Sequence, residues 1–483
     1  MSTNKNTNKN TNKKELSTSW IIEEFTGLDL GDVRLNKRLL SVADALASHP
    51  AETINAACGD WASVKGAYRL FDNEKVSSEK ILAPHFRQTI ERMCGYQRVF
   101  AIQDTTYLDY TDHPSTEGLG PIGASSHHHY GFVKHTTLIV SGSGLPLGCL
   151  TDKVWVRDVP TQEKKRKSRP LVEKESYKWI EAVSAIKSEV PEGVEVISIC
   201  DREADIYEFF VEAQEMSFVI RAAQDRVVDN DVGRLRALAE SLPVAGEFSI
   251  KVAARGAQPA REATLSVSFA KTTLLPPQRS QASRSQELPA VEIYLVWVVE
   301  TNPPDGTTPV AWLLLTNVEV KDFSDAIERV DWYAQRWHIE VYFKILKSGT
   351  KVEEVRFQTQ ERLLRFIALM SVIAWRLYWL TIMNRQTPDT DCTHILTEVE
   401  WKALYCLTHK THILPKKLPT VSEAVIWIAK LGGFLGRKSD GEPGVTVIWR
   451  GWRRLSDISD TFALFHQDTQ NNISQNLMDG HVP

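Results

Sequence analysis

The segment VEVISICDREADIYEFFVEA, residues 194–213, carries the strongest indication of the fold. Its first part is mostly apolar and rich in β-branched residues, which predicts a buried strand that ends at Asp201. A helix is expected to follow at once. Functional sites in open α/β sheets form at the carboxyl ends of strands, so Asp201 is a candidate site residue. An aspartate in this position is equally well explained as a helix N-cap.

Segments on both sides of this unit continue the mixed pattern. Residues 98–110, RVFAIQDTTYLDY, predict a strand that places Asp104 in apolar surroundings. Residues of about 224–306 alternate as β structure does and are expected to form a mostly β insertion. Further strands are expected at 135–142, 147–158, 217–226 and 309–317, with a helix within 171–190. The predicted fold class is therefore α/β, a mixed sheet with flanking helices.

The regions outside the α/β pattern are expected to be helical. Residues 18–92 carry apolar side chains at helical spacing, and helices are also expected after residue 360. Residues 366–383 imitate a membrane span. Arg376 near their middle would cost about 2.5 kcal/mol or more in lipid, so we expect a core helix and no membrane partner. Residues 1–17 combine Lys, Asn and Thr without an apolar core, which predicts a disordered basic arm.

The composition is that of an ordinary globular protein. With 483 residues, 42% apolar and 24% charged, the chain can form two or three domains. A net charge of −4 excludes a protein that is basic throughout, but not a basic groove offset by an acidic surface. The six cysteines are scattered and contain no CxxC pair, which favours a reduced cytoplasm and disfavours a structural zinc site.

A polar stripe is predicted in residues 331–349, DWYAQRWHIEVYFKILKSG. If this segment is one helix at about 100° per residue, five polar side chains fall within an arc of roughly 80°. They are Tyr333, Arg336, Glu340, Lys344 and Lys347. Large apolar side chains, among them Trp337, flank or oppose the stripe. Taken alone, the stripe is most simply a solvated face with (i, i+4) charge pairs.

Three carboxylates in these segments share one possible chemistry. Singly, Asp104, Asp201 and Glu340 are explained as a hydrogen-bonded strand residue, a helix cap and a surface ion pair. Jointly, they can hold two Mg²⁺ ions about 3.5–4 Å apart, which activate a water or hydroxyl and stabilise the leaving oxygen in phosphodiester displacement. Carboxylate oxygens suit Mg²⁺, and nearby arginine and lysine side chains suit phosphates.

Several motifs in the right order resemble one family. Four residues of the stripe match the signature Y-x2-R-x3-E-x6-K: Tyr333, Arg336, Glu340 and Lys347. With them the chain resembles the bacterial DDE transposases of the insertion-sequence-four type, most closely the transposon-five transposases. AIQDTT around Asp104 and CDREADI around Asp201 resemble the two aspartate motifs, and WLLLT repeats the family spacing of Trp312. LGDVRLNKRL, GAYRLFDN and AKLGGFLG extend the resemblance over about residues 20–465.

The resemblance implies an architecture and an activity. It implies an RNase H-like catalytic domain over 93–360, a DNA-end-binding domain over 18–92 and a helical dimerisation region over 361–483. The activity would be cut-and-paste transposition by a homodimer in the bacterial cytoplasm, acting on double-stranded transposon-end DNA and target DNA. Two Mg²⁺ ions per active site, replaceable by Mn²⁺, would be held by the catalytic triad Asp104, Asp201 and Glu340.

The resemblance also assigns DNA contacts. Nine side chains are expected to bind DNA: Tyr333, Arg336, Lys347, Lys344, Trp312, Trp337, Arg221, Arg34 and Arg38. The first three would hold end phosphates and a flipped base, and the two tryptophans would stack near that base, because an unstacked base needs a replacement π surface. Arg34 and Arg38 fall in the end-binding region, and the role of Lys344 is left open. Second-strand cleavage through a hairpin is expected.

Some features depart from the family pattern or stay open. The N-terminal arm and a Pro/Gln/Ser/Arg tract in the insertion look long, and Gln103 stands where an acidic residue is familiar. His127–His129 are expected in an exposed or DNA-facing loop rather than in a metal site. The basic run EKKRKSRP, residues 163–170, is expected near the DNA backbone. A structure-specific nuclease and a silent, dimerising DNA-binding inhibitor remain as rival functions, with a glycosidase as a distant third.

Overall fold

The structure, a computed structural model, describes residues 20–123, 128–157, 171–252, 259–277, 288–437 and 440–478, with side chains up to residue 465. The strands within these ranges are β1 (Arg98–Asp109), β2 (Gly120–Pro121), β3 (Tyr130–Ser141), β4 (Pro146–Trp155), β5 (Glu195–Cys200), β6 (Ser217–Arg221), β7 (Gly246–Val252), β8 (Arg261–Leu274), β9 (Val291–Glu300) and β10 (Ala311–Thr316). The helices are α1 (Trp20–Glu24), α2 (Val33–Ser48), α3 (Ile54–Cys58), α4 (Trp61–Phe71), α5 (Ser78–Met93), α6 (Tyr177–Glu189), α7 (Tyr207–Glu212), α8 (Leu235–Ser241), α9 (Phe323–Ala334), α10 (Trp337–Lys344), α11 (Gln360–Gln386), α12 (Glu398–His409), α13 (Val421–Leu431) and α14 (Val445–Met478).

All these strands join one sheet in the order β2-β3-β1-β5-β6-β10-β9-β8-β7, with β4 also paired to β3. β1 pairs antiparallel with β3 and parallel with β5, and β5 pairs parallel with β6. Helices cover both faces, and the regions before and after the sheet are helical. The predicted α/β fold class is confirmed, and the arrangement is consistent with an RNase H-like fold.

The segment expected to be a β insertion extends the same sheet. After β6 the chain forms α8 and then β7, β8 and β9, which pair antiparallel in sequence order. β9 pairs with β10, and β10 returns beside β6. Residues of about 224–306 therefore lengthen the sheet on the side away from β3 and β4. The domain boundaries inferred from the sequence stay a prediction.

Each face of the sheet has its own core, because side chains alternate along the strands. Phe100 and Ile102 of β1 belong to the core that includes α9, α10 and α11. The alternate residues Val99 and Ala101 belong to the opposite core, which includes α6 and α7. Asp104 continues the even-numbered series, so its side chain lies on the face covered by α10. Ile199 of β5 belongs to the same core and places Asp201 on the same face.

Helix α11 is the expected core helix. By length and composition it could cross a membrane, but 89% of its most apolar 18-residue window is buried inside the protein. Its Phe366 ring packs edge-on against Phe71 of α4, with 5.6 Å between centroids. The Arg376 guanidinium lies over the rings of Trp379 and Trp20, at 4.2 and 5.3 Å from their centroids. The charge near the middle of this helix is therefore accommodated by aromatic rings inside the protein.

A buried network holds the N-terminal helices against the sheet. Glu24 of α1 pairs with His85 and Arg92 of α5, and the backbone N–H of Cys149 in β4 donates to His85 Nε2 at 2.9 Å. Burial opposes ionisation of Glu24, but the charges and hydrogen bonds of His85 and Arg92 lower its pKa to about 2. The Glu24 carboxylate stays ionised across the physiological range, and the network joins α1, α5 and β4.

The expectation that residues 331–349 form one helix is wrong. α9 ends before Arg336 and α10 begins after it, and the connecting turn is closed by a short-range bond from Arg336 N–H to Tyr333 C=O at 3.0 Å. After α10, Ile345–Gly349 form a π-helical turn. Tight i→i−3 bonds and wide i→i−5 bonds each change the phase of a helix, so the polar residues do not form one straight stripe.

Candidate active site

Asp104 and Asp201 lie side by side on one face of the sheet. Their strands are parallel neighbours, and the register of β1 and β5 brings the two aspartates beside each other. Asp104 Oδ1 accepts a hydrogen bond from the Thr105 N–H at 2.7 Å. Asp201 Oδ1 accepts one from the Glu203 N–H at 2.8 Å and caps the following turn of 3-10 helix. The cap expected as the structural alternative does form, at a place where the carboxyl also faces Asp104.

Arg336 connects Glu340 of α10 to this pair. Its Nη1 donates to Asp104 Oδ2 at 3.0 Å, and its Nη2 donates to Glu340 Oε1. The side chains of Arg336 and Asp104 are 21% and 17% exposed, so their ion pair is largely shielded from water. The (i, i+4) pair expected as the structural alternative is present, but the same guanidinium also reaches a strand. Arg336 therefore draws α10 towards the two aspartates.

The electrostatics of the site show an excess of negative charge. Burial and the neighbouring Asp201 raise the pKa of Asp104 to about 7, against the opposing effects of the Thr105 N–H and Arg336. Burial also raises the pKa of Asp201, with Glu203 adding to it. Carboxyl groups that resist ionisation in a partly buried cluster are typical of functional sites.

The donor chemistry fits a hard divalent cation, although the present geometry is not that of a formed metal site. Among the residues that the structure describes, no three Asp, Glu, His or Cys side chains converge closely enough to hold a metal ion as they stand. The Arg336 guanidinium pairs with oxygens of Asp104 and Glu340. Those oxygens are the ligand type that Mg²⁺ prefers, and a cation would favour the ionised form of Asp104, which burial and the neighbouring Asp201 disfavour.

The raised pKa of Asp104 predicts a pH-dependent stability of the metal-free protein. Between about pH 4 and pH 7 the native state keeps a proton that the unfolded chain has lost, so the native state loses stability as the pH rises through this window. The Asp104→Asn variant lacks this titration. We expect the free energy of unfolding of this variant, relative to that of the wild type, to rise by about 2–4 kcal/mol from pH 4 to pH 8. Urea unfolding with a chelator present measures both free energies.

Asp305→Asn is the matched control for this titration, because Asp305 is an exposed aspartate between β9 and β10. Its stability profile is expected to parallel that of the wild type. Parallel profiles for the wild type and Asp104→Asn would contradict the raised pKa.

Tyr333, Trp312 and Arg221 form an aromatic and basic group next to the carboxylates. The ring centroids of Trp312 and Tyr333 are 6.2 Å apart, and the rings are inclined by 59°. Arg221, at the end of β6, donates to the Ala311 carbonyl at 2.8 Å and hydrogen-bonds with Tyr333. Burial raises the pKa of Tyr333, and the charges of Arg336, Arg221 and Asp201 also act on it. These predicted site residues therefore belong to the same cluster as the triad.

The remaining residues of the stripe spread outward from this cluster. Trp337 is 64% exposed at the start of α10, and Lys344 is exposed at its end. Lys347 lies in the π-helical turn, with its Nζ 3.9 Å from Glu353 Oε1. It borders a cavity of about 260 Å³ that is also lined by Tyr107, Asp109, Ile122, Gly123, His129 and Glu353. The broken helix thus places the lysines along a surface that leads away from the carboxylates.

Arg34 and Arg38 lie on α2 in the N-terminal helical region. The Arg34 side chain is 88% exposed and pairs with Asp32 at 3.2 Å, whereas Arg38 is half-buried. On neighbouring α4, Trp61 is 78% exposed, and Lys65 one turn later is also exposed. The sequence does not single out Trp61, because a tryptophan in a helix is usually part of the core. Its exposure makes it a candidate contact residue.

The histidine run has no common role in the structure. His127 and the basic run 163–170 lie outside the described residues, as does the arm 1–17. His128 and His129 are exposed, and His129 Nδ1 is 3.0 Å from Asp109 Oδ2. Gln103, the departure from the family pattern, is buried and donates to Ser198 Oγ at 3.0 Å. It connects β1 to β5 directly before the two aspartates.

Comparison with known families adds evidence that is independent of this geometry. Residues 372–464 match the family model described as Transposase Tn5 dimerisation domain, and residues 17–76 match the one described as Transposase DNA-binding. These matches support a Tn5-like transposase. The DNA-binding match spans α1 to α4, and the dimerisation match runs from the middle of α11 into α14. DNA is therefore supported as a partner and a homodimer as the assembly, while the carboxylate site lies between the matched regions.

Proposed function

We propose that this Tn5-like transposase is a cut-and-paste enzyme of the DDE, insertion-sequence-four type. It binds the inverted repeats at transposon ends, hydrolyses phosphodiester bonds of the DNA in an active site formed by Asp104, Asp201 and Glu340, and joins the 3′-hydroxyl ends to target DNA. One observation carries the proposal: Asp104 and Glu340 of α10 share a single arginine beside Asp201, in a chain with transposase DNA-binding and dimerisation matches.

The triad supplies the ligands for the metal. Asp104, Asp201 and Glu340 would hold two Mg²⁺ ions, which when bound activate the attacking water or hydroxyl and stabilise the leaving oxygen. Arg336 would then exchange its carboxylate partners for a DNA phosphate. The two N–H groups that now pair with Asp104 and Glu340 form the fork that suits bidentate phosphate recognition. The guanidinium keeps an anionic partner in both states.

The aromatic group supports strand distortion at the DNA end. Half-buried Trp312 offers a ring face on which an extruded base can stack, and Tyr333 with Arg221 would orient the adjoining phosphate. Exposed Trp337 and Lys344, with the partly buried Lys347, extend this surface with a further ring and two cations. A hairpin intermediate requires such a distortion, so second-strand cleavage through a hairpin is part of the proposal.

A joining assay tests the function. Purified protein is incubated with Mg²⁺, a target plasmid and DNA that carries the inverted repeats flanking its gene. We expect joined products and, on denaturing gels, hairpin ends; DNA with scrambled ends and reactions with chelator are the controls. Cleavage without joining would establish the structure-specific nuclease instead, and end binding without cleavage would establish the dimerising inhibitor.

A further inference from the structure

A fully buried ion pair lies beside the carboxylate site. Lys134 of β3 and Asp152 of β4 both have side chains with no solvent exposure. Lys134 Nζ donates to Asp152 Oδ1, and it also donates to Ser371 Oγ at 3.0 Å. Thr136 Oγ1 donates to the same oxygen of Asp152 at 2.8 Å. None of these groups takes part in the proposed reaction.

Asp152 stands in one row of side chains with the catalytic aspartates. Asp104 is opposite Thr136 in the register of β1 and β3, and Thr136 is opposite Asp152 in the register of β3 and β4. Opposite residues project to the same face, and neighbouring strands are about 4.8 Å apart, so Asp104 and Asp152 lie on one face about 10 Å apart. Asp201, directly after β5, extends the row on the other side of Asp104.

Lys134 joins this row to the helices that cover it. Ser371 belongs to α11, and its backbone carbonyl accepts a hydrogen bond from Tyr342 Oη at 3.3 Å. Tyr342 is fully buried and stands two residues after Glu340 on α10. A continuous series of contacts, from Asp152 through Lys134 and Ser371 to Tyr342, therefore runs from the strand row to the helix that carries the third carboxylate.

An ion pair in this position does more than fill space. Desolvation of two charges offsets most of their attraction, and an apolar pair of similar volume is often equally stable. Leu138 and Val140, on the same face of β3, show that apolar side chains pack well there. The charged pair differs from an apolar pair in that its hydrogen bonds are directional. A buried hydrogen-bond network therefore fixes the groups that it joins in one arrangement.

We propose that Lys134 is a positioning residue for DNA cleavage. Together with Asp152 it fixes α10 and α11 on the sheet, so that Glu340 stays opposite Asp104. Lys134 does not touch DNA in this scheme, and it acts through Ser371 and Tyr342. This role of Lys134 rests on the proposed function, because it is defined by the proposed DNA cleavage.

The test compares the wild type with a variant that carries Lys134→Met and Asp152→Asn. This variant removes both charges and keeps an acceptor for Thr136. We expect its melting temperature to stay within about 5 °C and its affinity for end DNA within about twofold, because the fold and the DNA surface are unchanged. The single-turnover cleavage rate of the bound complex is expected to fall about tenfold to a hundredfold, the effect of a displaced catalytic group.

Direct Mn²⁺ binding to the end-DNA complex, measured by calorimetry, is the second readout. We expect it to weaken in the double variant, which a purely structural role of the pair would not cause. Arg261→Met with Glu300→Gln is the matched control, since it removes a largely buried ion pair between β8 and β9, away from the site. This control is expected to keep wild-type cleavage and Mn²⁺ affinity.

Ser371→Ala provides an independent variant, because it leaves the ion pair intact and removes only its link to α11. We expect about threefold to tenfold slower cleavage at an unchanged melting temperature. Wild-type cleavage and Mn²⁺ binding in either folded variant would overturn the positioning role while leaving the proposed function in place. Absence of cleavage by the wild type itself would reject the proposed function.

Discussion

Replacing Asp104, Asp201 or Glu340 singly by alanine is expected to lower DNA cleavage by about a thousandfold or more. Each replacement would remove a ligand of the proposed metal pair, and stabilisation of the transition state by such a pair is worth several kcal/mol. Binding of end DNA should stay within about twofold, since the end-binding match lies in α1 to α4. Single-turnover cleavage of labelled end DNA and an electrophoretic shift of the same DNA measure the two effects separately.

Glu354→Ala is the control for this series. Its carboxylate is 66% exposed and pairs with Lys351 at 3.1 Å, beyond the π-helical turn. We expect wild-type cleavage from it. A triad variant that still cleaves at the wild-type rate would remove that residue from the proposed ligands, and loss of end binding in all three would show that they support the fold instead.

Asp205→Ala is expected to cause the largest loss of stability among the acidic residues that follow β5. Its side chain is fully buried, and its oxygens accept hydrogen bonds from the N–H groups of Ala223 and Gln224 at 2.7 Å each. Both Nε and Nη2 of Arg226, a side chain only 10% exposed, donate to its Oδ1. The alanine variant leaves the two backbone N–H groups and Arg226 Nε without this acceptor, and Nη2 keeps only the Asp205 backbone carbonyl, at a cost of about 3–5 kcal/mol in the free energy of unfolding.

Urea unfolding measures this loss, with Glu203→Ala as the control from the same cluster. Glu203 is 54% exposed and pairs with Lys178 at 3.1 Å, so its removal is expected to cost about 1 kcal/mol or less. A small effect of Asp205→Ala would mean that the loop after β6 is held by other contacts. The three acidic residues 201, 203 and 205 thus differ in their surroundings: the first is a proposed site ligand, the second a surface ion-pair partner and the third a buried hydrogen-bond acceptor.

The sequence predicts the strands and the shared face of the aspartates because both depend on local periodicity. Apolar residues that alternate along β1 and β5 predict buried strands, and the same alternation places Asp104 and Asp201 on one face once the strands are neighbours. The cap formed by Asp201 and the ion pair between Arg336 and Glu340 are also predictable, because each joins residues that are close in sequence. The strands, the cap and the ion pair of Glu340 use information within about ten residues, whereas the shared face also needs the pairing of β1 with β5, which joins residues 97 positions apart.

The break between α9 and α10 could not be read from the same periodicity. Its tight turn contains no glycine or proline, and Arg336 lies in it with a guanidinium that reaches Asp104, 232 residues away in sequence. Lys134 was missed for a related reason, since a lysine in an apolar strand is expected to be near an edge or in solvent. Only the pairing of β3 with β4 shows that Lys134, Thr136 and Asp152 form one buried group.

The packing of α4 on α11 has a consequence during protein synthesis. Arg365 of α11 donates to the Val76 carbonyl, a contact between residues 289 positions apart in the chain. At about 5–20 residues per second, a ribosome needs roughly 15–60 s to make the intervening chain. For that time the apolar side of the first helices, including Phe71, has no α11 to cover it. These helices therefore leave the ribosome well before α11 does, and they complete their packing only after α11 has been made.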